Sequence, residues 1–338
     1  MIKHLFSTWV EKRVFFVKAV RRYSKIICYN LRKRGGKLMQ LKHIKGNCFY
    51  IPNPANIGII KGETGAILID TGLDDDTGRK IIKTLEKNYL YPSAIINTHS
   101  HGDHYGGNHF IKNKTNVPIY APFLEADIIE NTYLEPYFLF SGAHPIKDLQ
   151  NKFLMGKPTC VDRIIRDEEI TVDGVELKIY FLPGHSPNQI GVKVDNVFFI
   201  GDAVFSTFAL EKHKIPFYID IERQKNTLDF LYQVNENNEC DYFLPGHGDL
   251  AEDISLEIEA NQLAINNLEK YLISLLSDKK SIEEIMKEIF SKYNIKINSV
   301  YQYFLMKTAV MAYLSYFHHL GRVSTILDDG SLYWQSSD

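Results

Sequence analysis

Four residues able to bind a metal ion fall within six positions, His99-Ser100-His101-Gly102-Asp103-His104, directly after the apolar stretch Ala94–Asn97. That crowding narrows the choice of fold. Packed imidazoles without a compensating charge are costly, so the chain must gather them where a cation can sit. His99 and His101, two apart in an extended segment, reach the same side and can chelate one ion. Asp103 and His104 are expected to face an adjacent ion as the chain turns into a helix at Tyr105-Gly106-Gly107. Glycines there would let the backbone pass close to the metals.

Three further ligand candidates each close a predicted strand. They are His185 after Phe181-Leu182-Pro183-Gly184, Asp202 after Phe198-Phe199-Ile200-Gly201, and His247 after Tyr242-Phe243-Leu244-Pro245-Gly246. A lone histidine after Pro-Gly is usually a turn residue. Three strand-end polar residues beside the histidine motif form a constellation, because loops at strand ends are where α/β sheets collect their sites.

The pattern around these residues sets the fold class, α/β. Asn47–Pro52 and Asn56–Gly62 read as paired strands, and Ala66–Asp70 as a buried strand ending in Asp70-Thr71-Gly72. The spacing of Ile81, Ile82 and Leu85 predicts a helix over Asp76–Asn88. Strands are expected at Val117–Tyr120, Ile170–Leu182, Gly191–Val194, Val197–Ile200 and Tyr242–Leu244. After Asp249 three helical stretches follow, Ile254–Leu276, Ser281–Tyr293 and Val300–Leu320. A hairpin, Val323–Leu327 to Leu332–Trp334, then turns at Asp328-Asp329-Gly330.

This succession resembles the metallo-β-lactamase fold superfamily, and is similar to its glyoxalase-II-like branch. The likeness covers residues 39 to about 250 through Asp70-Thr71-Gly72, His99 to His104, Gly184-His185, Gly201-Asp202 and Gly246-His247. It implies an αββα sandwich with metals at one edge of two facing sheets. It implies that His99, His101 and His185 bind one metal and Asp103, His104 and His247 a second, with Asp202 bridging. Asp70 would orient a ligand imidazole from behind. The region 253–338 resembles the winged-helix-type domain appended to some members, giving three expected segments: 1–38, 39–252 and 253–338.

Nitrogen and carboxylate ligands without thiolate suit two divalent ions, zinc first, with iron or manganese tolerated. Two such ions share a water and bring its pKa towards neutrality, giving hydroxide as nucleophile, with Asp103 placed to steer it. The implied function is a binuclear hydrolase, hydroxyacylglutathione hydrolase-like, acting on a small-molecule thioester, ester or lactone. Two alternatives stand beside it. One is a phosphodiesterase or endoribonuclease on single-stranded RNA, suggested by the winged-helix-like tail; the other is a mononuclear-iron dioxygenase. An acid usually replaces His101 in diiron oxygen-reducing members, which argues against that type.

Charge bears on partners. Up to Lys45 there are thirteen basic residues and one acid, Glu11; the remainder has 26 basic and 40 acidic residues, a net of −14. A body this acidic without a dense Lys/Arg stripe disfavours nucleic acid and favours a packing or homodimerising role for the C-terminal region. In residues 1–38, Leu5, Trp9, Phe16, Val20, Ile27 and Leu31 alternate with Lys12, Arg13, Lys18, Arg21, Arg22 and Lys25. Three readings of this stretch stand: a basic amphipathic helix making peripheral membrane contact, a helix packed on the body, or a stretch upstream of a true start at Met39. Four scattered cysteines with no C-x-x-C pair make a reducing cytoplasm the simplest compartment. An insertion from Phe123 to Val161 carries Tyr133, Tyr137, Phe138, Phe140 and Phe153, which either cap the site or fill core. Tyr105, Phe205 and Tyr218 flank the ligand motifs and are expected to line the pocket.

Overall fold

The computed structural model describes residues 39–337, so the reading of residues 1–38 falls outside the described residues. Two sheets dominate. The first has seven strands in chain order: β1 Lys42–Lys45, β2 Cys48–Ile51, β3 Ile57–Lys61, β4 Ala66–Ile69, β5 Pro92–Ile96, β6 Ile119–Pro122 and β7 Arg163–Ile165. β1 to β4 pair antiparallel and β4 to β7 parallel. The second sheet has the order β12-β11-β10-β9-β8, from β8 Glu169–Val172, β9 Val175–Phe181, β10 Ile190–Val194, β11 Val197–Gly201 and β12 Tyr242–Pro245.

Alternation along the strands builds the layers. Ile60, Ile67, Ile69 and Ile96 meet Ile179, Val192, Phe199 and Leu244 in a core between the sheets. Their neighbours Ile59, Leu68 and Ile95 face outward against Ile81, Ile82 and Leu85 of α1 (Asp75–Lys87) and Ile111 of α3 (Asn108–Thr115), which follows the short α2 (Gly102–Tyr105). Each such buried aliphatic contributes roughly 1.5–3 kcal/mol. Asp74 caps α1 by accepting from Thr77 N–H at 3.0 Å, which satisfies one of the free amides at the helix start. On the far side of the second sheet, Phe198, Ile200 and Phe243 pack on Leu228 and Leu231 of α7 (Ile221–Glu236) and Ile258 and Ile265 of α8 (Ser255–Leu275). The result is an αββα sandwich.

The three C-terminal helices and the hairpin are present as α8, α9 (Ile282–Tyr293), α10 (Val300–His319), β13 (Val323–Asp328) and β14 (Ser331–Ser336). Asp329 (φ 45°) and Gly330 (φ 73°) make the two-residue turn, the geometry that D-G favours. Tyr313, Phe317 and Trp334 from this region share one core with Leu182 and Phe198 of the sandwich, and Met39–Asp338 forms a single compact unit. The boundary at residue 253 is thus one of element type rather than of packing.

One expectation needs correction. Ile170–Leu182 is not one strand but the hairpin β8–β9, reversed at Asp173 (φ 47°) and Gly174 (φ 74°). The Asp173 carboxylate accepts from Thr64 and Gly65 N–H, pinning the turn to the first sheet. Of the insertion aromatics, Phe140 packs edge-on against Phe304, and Phe153 stacks on Tyr301, both partners on α10. These two serve the packing of the insertion, which carries α4 (Glu125–Glu130) and α5 (Leu134–Leu139). Among the described residues no helix is long and apolar enough to cross a membrane, and Cys48, Cys160 and Cys240 are free thiols.

Candidate metal centre

Every strand end named from the sequence arrives at one edge of the sandwich. β4 delivers Asp70, β5 delivers His99 to His104, β9 is followed by His185, and β11 and β12 by Asp202 and His247. Gly246 N–H donates to Gly201 O at 2.7 Å, joining the ends of β12 and β11, and Asn56 N–H, ahead of β3, donates to Gly246 O at 2.7 Å and so ties the two sheets together there. A Cβ on Gly246 would lie 2.1 Å from Asp202 Oδ1, so only glycine fits.

The seven predicted ligands converge in three overlapping groups: His99, His101, His185; His99, His104, Asp202; and Asp103, His104, His247. His101 Nδ1 lies 3.1 Å from His99 Nε2 and 2.9 Å from His185 Nε2. Across the site, His247 Nε2 is 3.1 Å from Asp103 Oδ2. Asp202 stands between the trios. Its Oδ1 is 3.4 Å from His104 Nε2, while Oδ2 is 3.5 Å from His185 Nε2 and 3.4 Å from His247 Nε2. His99, His104, His185 and Asp202 are buried, forming a floor; His101, Asp103 and His247 are partly exposed, forming a rim.

The outward nitrogens explain how the rings hold this pose. His104 Nδ1–H donates to Asp70 Oδ2 at 2.8 Å, His185 Nδ1–H to Phe217 O at 2.8 Å, and His247 Nδ1–H to Pro54 O. Thr98 Oγ1 gives its proton to Asp70 Oδ2 and therefore accepts from His99 Nδ1–H at 3.0 Å. With the protons assigned outward by these acceptors, lone pairs point inward. His104 Nε2 and Asp202 Oδ1 are buried with no hydrogen-bond partner. Converging lone pairs and an orphaned carboxylate oxygen are what a cation would satisfy, so the residues fit the metal the sequence implied. Asp70, buried with φ 63°, also accepts Thr98 N–H at 2.8 Å and so acts behind His104 rather than in the cluster.

The field inside the cluster is strong. Burial, reinforced by His185, pushes His101 down to about 3. Burial likewise takes His99 well below its ordinary range. Asp202 raises His247 to about 9, so its inner nitrogen takes up a proton that a bound cation would displace. For Asp103, burial favours the neutral acid, yet His104 and His247 outweigh it and hold the carboxyl at about 2.

Some expectations fail here. Helix α2 begins at Gly102, so Asp103 and His104 already sit in its first turn. Gly106 and Gly107 do not face the cluster: a Cβ on Gly107 would lie 2.3 Å from Thr71 O, so these glycines serve the approach to the loop after β4. Tyr105 is fully buried, its hydroxyl accepting from Gly156 N–H at 2.8 Å, and belongs to a core. Tyr218 is fully buried with its hydroxyl donating to Asn261. Neither lines an open pocket, because a buried phenol needs an internal partner and has found one. Phe205 does lie at the site, its ring centroid 5.4 Å from that of His185.

Sequence reasoning misses Glu125. This fully buried carboxylate on α4 accepts from Ser100 N–H at 3.0 Å and from the Ser100 hydroxyl through Oε2. Through Oε1 it accepts from the Ser186 hydroxyl at 2.7 Å and Asn188 N–H at 2.8 Å. It thus ties the loop of His99 and His101 to the loop of His185. No local signal marks it, because the same short helix also carries Asp127 and Glu130. Gln189 does a related job, its Oε1 accepting Asp202 N–H at 3.0 Å.

A seven-ligand histidine–aspartate cluster at one edge of an αββα sandwich defines a class of metal-dependent proteins. The family model described as the metallo-beta-lactamase superfamily matches residues 50–247, and the chain belongs to that family. A probable metallo-hydrolase of Bacillus subtilis (strain 168) is 27% identical over 46% of this chain and 68% of its own length. A hydroxyacylglutathione hydrolase of Xanthomonas oryzae pv. oryzae is 27% identical over 44% of this chain; the match spans only 45% of that enzyme. A metallo-beta-lactamase family protein of Thermus thermophilus superposes with a TM-score of 0.63 at 17% identity, over 88% of this chain and 98% of that one. A beta-lactamase domain protein of Burkholderia ambifaria gives 0.67 at 16% identity, over 88% and 94%. The chain is accordingly a metallo-hydrolase of this superfamily with a metal-binding site.

Proposed function

We propose that the protein holds two divalent ions, zinc by preference, and hydrolyses a thioester, ester or lactone of a small molecule. The observation that carries this reading is the placement of Asp202. It stands between the two trios: Oδ1 faces His104 and is orphaned, while Oδ2 lies 3.5 Å from His185 and 3.4 Å from His247, one member of each trio. Partial likeness to hydroxyacylglutathione hydrolases supports the thioester class. Bound divalent ions supply an acidified water and polarise the scissile carbonyl.

The chain supplies the rest. His99, His101 and His185 would hold one ion, Asp103, His104 and His247 the other, with Asp202 between them. The Asp103 side chain is 35% exposed against 6% for Asp202. Held ionised, its carboxylate accepts a hydrogen from an incoming water at the open rim and so orients it. Asp70 and the carbonyls of Phe217 and Pro54 hold an outward Nδ1–H on His104, His185 and His247, leaving Nε2 to face the cluster.

The test is turnover of a thioester, lactone, β-lactam, phosphodiester and single-stranded RNA panel by protein of measured metal content. Thioester or lactone cleavage that disappears in Asp202→Ala is expected. RNA cleavage alone would replace this reading with a nuclease, and one iron per chain with oxygen consumption would replace it with a dioxygenase.

A further inference from the structure

Beyond Asp202 the chain leaves the sheet, forms α6 (Thr207–His213), in which no residue is buried, and returns at Phe217. Both ends of this excursion are gripped by one side chain. Asn261, fully buried on α8, accepts through Oδ1 from Phe205 N–H at 3.2 Å and from the Tyr218 hydroxyl. Its Nδ2 donates to Phe205 O at 2.7 Å. An amide that meets both backbone groups of one residue fixes that residue's position.

What this grip places is a pair of rings. The Phe217 centroid is 5.7 Å from that of His101 and 5.9 Å from that of His185, and Phe205 abuts His185 from another side at 5.4 Å. Both phenylalanines are only partly buried, and their rings abut His101 and His185 of the trio. Ring surface offers dispersion and release of water, and gives no hydrogen bond to an anionic or hydroxylated group. The first few carbons beyond a carbonyl held over that trio would lie within reach of it.

We infer that Phe205 and Phe217 form a specificity wall for an apolar substituent on the scissile carbonyl, and that Asn261 is the positioning residue that sets it. This rests on the hydrolase reading above. The protein therefore acts on acyl groups with a hydrocarbon or aromatic arm in preference to short or polar ones.

The experiment uses thioesters of one thiol carrying acetyl, butyryl, hexanoyl and phenylacetyl groups. It is paired with calorimetric binding of acetate, hexanoate and phenylacetate to the metal-containing protein. Four added methylenes, each about half removed from water, should raise kcat/KM by on the order of tenfold from acetyl to hexanoyl. We expect that ratio to fall to within about twofold in Phe205→Ser and Phe217→Ser, and Phe217→Leu to keep most of it. Asn261→Ser should lower it through KM for the hexanoyl substrate. Loss of kcat by one factor on every acyl chain would mark a merely structural role and overturn the assignment of Asn261. A flat acyl series in the wild type would overturn the wall. If no thioester is cleaved, the thioester reading fails and binding decides the wall separately. Hexanoate tighter than acetate in wild type, and equal in Phe217→Ser, upholds the wall; equal or absent binding in wild type removes it.

Discussion

If two ions are held as proposed, replacing Asp70 by Asn should weaken one of the two metal sites while leaving the fold in place. Both oxygens of Asp70 face donors: Oδ1 faces Thr98 N–H, and Oδ2 faces the Thr98 hydroxyl and His104 Nδ1–H. An asparagine has one oxygen to offer. The Thr98 amide cannot turn, so the carbonyl must stay with it and the NH2 must face His104. The hydroxyl can rotate, but His104 can adapt only by moving its proton from Nδ1 to Nε2, which removes the lone pair that faces Asp202. The charge-assisted bond lost is worth about 1.5–3 kcal/mol, equivalent to about 10- to 100-fold in affinity. Asparagine tolerates the positive φ of this position, so near-ultraviolet circular dichroism should be unchanged. The assay is competition for zinc or cobalt against a chromophoric chelator. One site weakened by that factor is expected; affinity at both sites within about twofold of wild type would refute the tautomer argument.

Two other expectations address the scaffold. Glu125→Gln leaves an NH2 facing at least one backbone N–H that cannot turn away. The metal-stripped variant should lose about 1–3 kcal/mol in urea unfolding, and an unchanged midpoint would show that Glu125 does not clamp the two loops. Burial, with the Glu125 carboxylate nearby, raises Glu135 to about 7 from 4.5. The folded chain then holds a proton that the unfolded chain releases, so stability should fall as pH rises from 4.5 to about 7 and level off above. Glu135→Gln should flatten that part of the curve, and parallel curves would contradict the assignment.

The candidate ligands were legible because four crowd into His99 to His104 and the other three each follow a short apolar strand through a Gly, and a polar residue after a buried strand has few reasons to be there. His185, Asp202 and His247 are all of this kind. The turn at Asp173-Gly174 was equally visible, but the apolar positions on both sides of it hid the reversal. Other parts were not legible in principle. Glu125 acts only through Ser100, Ser186 and Asn188, partners 25 to 63 positions away. Asn261 reads as one polar residue on a long helix, and nothing local signals that it reaches back 56 positions to Phe205. The flanking aromatics show the limit most clearly. Tyr105, Phe205 and Tyr218 are alike in sequence, yet the two phenols find internal partners and only Phe205 keeps open surface beside an imidazole.

The most direct test is the metal content of protein purified without chelator or affinity tag, with Asp202→Ala measured in parallel. We expect about two equivalents per chain, dropping markedly in the variant. Protein that folds with no bound metal, or that keeps its full complement without Asp202, would mean that the seven side chains gather for some other reason.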